Sequence, residues 1–142
     1  MSLGNTFEND LVKLIFQGTA IANLADNAAS SPFTVLYFSL HTADPGEAGD
    51  QTTSEAAYTS YARVSVARTS GGFSVSANVV TPVANVDFPA CTGLSETETH
   101  CAVGTAISGA GKLLISGAIT PNLVVSTGVT PRLNTSTTIT FD

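Results

Sequence analysis

Beyond Pro32 no stretch of the chain sustains a helical apolar period, and short β-patterned runs are cut off repeatedly by glycine and proline. That punctuation constrains the fold more than any other feature. A period of two buries one face of a strand, and glycine and proline supply the turns between strands. The candidate strands are residues 33–41 (FTVLYFSLH), 61–68, 73–77, 83–88, 99–107, 112–119, 123–126 and 136–141. In the first, Phe33, Val35 and Tyr37 share one face and Leu36, Phe38 and Leu40 the other, as expected of a strand covered on both sides. Gly71-Gly72 is placed to close a hairpin onto 73–77. The glycines of 104–111 (GTAISGAG) read as a hairpin turn rather than a phosphate cradle, because the G-K-[ST] ending is missing. About eight short strands in series predict a mainly β fold: a single antiparallel β-sandwich, with the jelly roll as one way of closing it.

The first segment has a different period. Phe7, Leu11, Leu14 and Ile15 recur at helical spacing, with Val12 and Phe16 broadening the stripe. Asn5 and Glu8 form a variant capping box and Gly18 is a left-handed terminator, so a helix is expected between them. A second, shorter turn over 20–26 and a hinge over 27–32 would follow. The 142 residues thus suit one domain, with 1–31 as a helical arm and hinge and 32–142 as the β body. A short helix is marginal alone, so its stripe has to dock on its own sandwich or on a neighbour. Phe7, Leu11, Leu14 and Ile15 are therefore candidate partner contacts.

Charge narrows the function. Five Lys+Arg stand against eleven Asp+Glu, and the basic residues are scattered, which argues against nucleic acid. The most apolar stretch, 11–25, is interrupted by Lys13, Gln17 and Asn23 and is too short to cross a membrane. The start, Met-Ser-Leu-Gly-Asn, lacks the basic region of a secretory signal, so synthesis in a host cytoplasm is expected. Asp44, Glu47, Asp50 and Glu55 form an acidic loop that could meet basic groups on a partner. Their spacing does not match a calcium loop, and a zinc site on His41 and Asp44 would need a third ligand from His100 or a cysteine far along the chain. Neither metal nor cofactor is expected. Glu96 and Glu98 read as exposed charge on an edge or loop.

No G-x-S-x-G elbow is present, and His100 and Cys101, as strand neighbours, point to opposite faces and cannot act on each other. The chain is therefore not expected to be an enzyme. Cys91 and Cys101 could meet across a short loop but are expected to stay reduced in a cytoplasm.

The blocks 39–49 (SLHTADPGEAG) and 53–64 (TSEAAYTSYARV), with 14–20 (LIFQGTA) and 109–114 (GAGKLL), resemble a family of small tailed-phage virion proteins. Its members are often labelled tail-fibre proteins and sometimes discussed as capsid cement or decoration proteins. The resemblance implies a structural protein of the virion without an active site. A compact domain with one arm would suit cement on the outer capsid surface, with the major capsid protein and further copies of the chain as partners. A module of the tail or its fibre is the alternative. A carbohydrate-binding module is a third reading, with Tyr37, Tyr58 and Tyr61 as stacking faces.

Overall fold

The computed structural model describes residues 5–21, 24 and 32–141, without the side chains of Asn5 and Phe7. The chain is mainly β. One helix, α1 (Asn5–Gln17), precedes β1 (Val35–His41), β2 (Val64–Ala67), β3 (Phe73–Ser76), β4 (Val79–Pro82), β5 (Val86–Asp87), β6 (Glu96–Gly104), β7 (Leu113–Val125), β8 (Arg132–Leu133) and β9 (Ile139–Thr140). They form three sheets, ordered β2-β1-β6-β7, β3-β4-β9 and β5-β8. The chain divides into two compact units, one of Met1–Val35, Val66–Asn85 and Asn134–Asp142, the other of Leu36–Ser65 and Val86–Leu133.

In the first unit, α1 ends where the sequence marks it, with Gly18 at φ 66°. Its buried face is carried by Val12 and Phe16, 1% and 0% exposed, while Leu11, Leu14 and Ile15 are half-buried. The expected stripe is thus corrected by about one residue, ~100° around the axis. The apolar arc is wide, and what decides its orientation is a partner on β3: Phe16 meets Phe73 edge-on at 5.1 Å and Phe141 at 5.9 Å. Gln17 donates to the Phe73 carbonyl at 3.1 Å, and the Arg68 guanidinium donates to the carbonyls of Leu14 and Ile15. A cation from a distant loop thereby caps the negative end of a helix that has no basic residue in its own last turn. Through these contacts the helix packs on β3 of this unit. Residues 22–23 and 25–31, with most of the expected second turn and hinge, lie outside the described residues.

The hairpin expected at Gly71-Gly72 is displaced. β3 pairs with β4 around a two-residue turn at Ala77-Asn78, with Ala77 at φ 53°, while β2 belongs to the other sheet. Gly72 serves a different need: a Cβ there would lie 2.0 Å from the Ala67 carbonyl oxygen. Asn78 then binds the Phe141 backbone in both directions, through Nδ2 (2.6 Å) and its own carbonyl (3.0 Å), which sets β9 against β4.

In the second unit, β1 and β6 pair from Tyr37↔Gly104 to His41↔His100, and β6 pairs with β7. The separate strands expected at 112–119 and 123–126 are one strand of 13 residues. The ladder survives Pro121 because residues 119–122 bulge out opposite Thr99 alone, so proline sits where no ladder donor is needed. Of the residues read as one strand at 83–88, only Val86–Asp87 are strand; they form the short β5, which pairs with β8, and Val83 lies just past the end of β4.

Candidate functional site

The long connection from Thr42 to Tyr61 is fixed from inside. The His41 ring is fully buried: Nδ1 donates to the Thr53 carbonyl at 2.8 Å, which leaves Nε2 to accept from Ser39 Oγ at 2.9 Å. Burial pushes its pKa below the ordinary histidine value, so it is held neutral. Gln51, also fully buried, accepts from Ala106 N–H at 2.9 Å and donates its own backbone N–H to Gly111 O at 3.1 Å. Its side chain lies where a Cβ on Gly104 or Gly111 would fall, 2.1 Å away in each case. This explains two glycines of the 104–111 run, and Gly109, at φ 73°, makes the turn itself.

The four acidic residues of this connection do not act together. Glu55 is half-buried and paired with Arg63, whose Nε and Nη2 donate to its two oxygens at 2.6 and 2.7 Å. Tyr61 Oη donates to the same carboxylate at 3.0 Å, and Arg63 Nη1 and Nη2 continue to the carbonyls of Ala106 and Gly109 at 2.9 Å. Asp50 accepts from the Thr52 N–H and hydroxyl at 2.7 and 2.6 Å, and those bonds lower its pKa. Asp44 closes a turn by accepting from Gly46 N–H at 2.9 Å, yet like Glu47 it remains exposed.

Asp44 and Glu47 border an open hollow of about 510 Å³, lined also by Gly46, His100 and the first six residues of β7. Thr99 Oγ1 donates its only proton to Thr42 O at 3.0 Å, so in the 2.8 Å contact with His100 the ring Nδ1 is the donor. In the neutral imidazole Nε2 is then an acceptor. Two carboxylates and one imidazole acceptor suit a cationic or N–H donor; no group of three or more metal-ligating side chains occurs among the described residues. The zinc arrangement on His41 and Asp44 also fails because both ring nitrogens of His41 are engaged.

Sequence reasoning missed the most unusual side chain. Glu98 is fully buried in β6, a central strand, with neither carboxylate oxygen hydrogen-bonded. Burial, followed by its neighbour Glu96, raises its pKa to about 8. Glu96 is half-buried and accepts from Ala57 and Tyr58 N–H, both at 2.7 Å. The expectation of an exposed acidic edge is thereby corrected. A polar alternation reads alike on an edge strand and on a strand covered by a loop.

Two of the three tyrosines offered as sugar-stacking faces are also committed elsewhere. Tyr58 is 2% exposed and donates to Pro89 O at 3.0 Å, and Tyr61 stacks on Phe88 at 6.3 Å. Cys91 and Cys101 are free thiols. Cys91 is buried against the carbonyls of Gly93 and Leu94, and burial raises Cys101 to about 11.

The sequence family described as podophage GP4 fiber I protein gp80 matches residues 2–140. None of the curated proteins matches the chain.

Proposed function

The chain belongs to the podophage GP4 fiber I protein family, which makes it a phage virion structural protein, and on that premise we propose that it is a non-enzymatic module of the virion's fibre. The observation that carries this reading is the extent of the match, 2–140, which takes in α1 and both compact units. The side chains support it. Both ring nitrogens of His41 and both carboxylate oxygens of Glu55, which could otherwise do acid–base work, are engaged in hydrogen bonds, and Asp50 Oδ1 accepts twice from Thr52, so these side chains hold the 42–61 connection in place.

Capsid cement is the second reading. It drew its support from an arm free to bridge subunits, and α1 lies instead on β3 of its own unit. Gold-labelled antibody against the chain should decorate the tail fibres of intact virions and leave heads bare. Uniform labelling of heads would overturn the fibre reading in favour of cement.

A further inference from the structure

We propose that Glu98 and Glu96 share one proton, and that this proton latches the Ala57–Tyr58 segment onto β6. Glu96 stands opposite Val125 and Glu98 opposite Leu123 in regular pairing, so the two carboxyl groups are neighbours on one face of the strand. Glu98 is fully buried, and neither of its oxygens has a donor. Glu96 is half-buried: its Oε1 takes the N–H groups of Ala57 and Tyr58, both at 2.7 Å, and among the described residues no donor reaches its Oε2. Two carboxylates offer each other only acceptors. Protonated, Glu98 becomes a donor, and Glu96 is the acceptor within its reach. The proton sits on Glu98, because the Glu96 anion is already stabilised by two N–H bonds and Glu98 has none.

The surroundings supply no counter-charge. β7 brings no titratable residue to this face, and neither described ion pair, Arg63–Glu55 or Arg132–Asp87, includes either carboxyl group. Tyr58, on the latched segment, feels the charges of Glu98, Cys91 and Glu96, and its own hydroxyl donates to Pro89 O. Cys91, from the segment before β6, turns its thiol to the Gly93 and Leu94 carbonyls. His100, further along β6, turns Nδ1 to Thr99. When the shared proton is lost to solvent, two negative charges face each other on a covered surface. Glu98 cannot reach water, whereas Glu96 can, and in turning outward it releases Ala57 and Tyr58 N–H, which have no other acceptor among the described residues. On either side Ala56 N–H stays on Leu40 O and Thr59 N–H on Gly93 O, both at 2.8 Å, so the opening is confined to the two residues between them.

The proposal concerns the purified chain and holds or fails separately from its place in the virion. Amide hydrogen exchange of the full-length chain, resolved by residue and corrected for the intrinsic base-catalysed rate, tests it. Protection at Ala57 and Tyr58 should fall about tenfold or more between pH 6 and pH 9, a range that spans the ionisation of Glu98 near 8. Ala56 and Thr59 should stay better protected, and 1 M urea should not speed exchange at 57 and 58, as befits a local opening. In Glu98→Gln the amide donates to Glu96 at every pH, so the response should vanish. In Glu96→Gln the side-chain carbonyl still accepts from Ala57 and Tyr58 while its NH2 donates to Glu98, so the segment should stay closed at both pH values. Protection at 57 and 58 that is the same at pH 6 and pH 9 overturns the proposal. So does a response in Glu96→Gln as large as in the natural chain, which would make Glu98 a lone buried acid.

Discussion

Arg63→Leu is expected to lower stability by about 3–5 kcal/mol, because it leaves the Glu55 carboxylate inside the fold with only the Tyr61 hydroxyl. The guanidinium side chain is 2% exposed and donates to four oxygens, two on Glu55 and two carbonyls in the 104–111 turn. Its loss also strands the carbonyls of Ala106 and Gly109. Replacing both partners by leucine should cost less than Arg63→Leu alone, since the double variant buries no unpaired charge. Urea denaturation of the two single variants and the double one closes the cycle. A double variant as unstable as the sum of the singles would mean that the pair does not interact as described.

The second large effect is a pH dependence traced to Glu98. Its folded pKa, about 8, lies above the ordinary 4.5, so between those values the folded chain keeps a proton that the unfolded chain releases. Stability is therefore full below the lower value and falls as pH rises, by about 1.4 kcal/mol per pH unit at its steepest, until Glu98 ionises in the folded state as well. His41 acts in the opposite direction and in another range. Its folded pKa is depressed below 6.5, so it costs stability only as pH falls through and below that value. Between pH 6.5 and 8 the slope belongs to Glu98. Glu98→Gln should flatten it and be more stable than the natural chain at pH 8.5. Thermal melts across that range check this, and an unchanged slope in the variant would place the titration elsewhere.

Part of this architecture was legible in the sequence. Asn5, Glu8 and Gly18 bracket α1, and the alternation after Pro32 places β1, β3 and much of β6. The 104–111 glycines do make the β6–β7 turn. What was illegible depends on distant residues. Nothing local distinguishes Val12 and Phe16 from Leu11 and Ile15, since the choice is made by Phe73 and Phe141. The Gly71-Gly72 dipeptide reads as a hairpin turn, yet Gly72 is needed for its close approach to Ala67. In the site, the acidic loop was visible, but its division into Glu55 bound to Arg63, Asp50 capping a turn, and Asp44 and Glu47 left exposed was not. The first basic residue after the loop, Arg63, was the signal that could have been used. Glu98 gave no signal, because a loop closing over β6 is a tertiary event.

The fibre assignment is tested most directly by counting. Quantitative mass spectrometry of purified virions, with isotope-labelled peptides from this chain and from the major capsid protein, gives their ratio per particle. A fibre module predicts a small fraction of the capsid protein's copy number, unchanged when heads are stripped of loosely bound surface proteins. A ratio approaching one chain per capsid subunit would contradict the account and place the protein on the head.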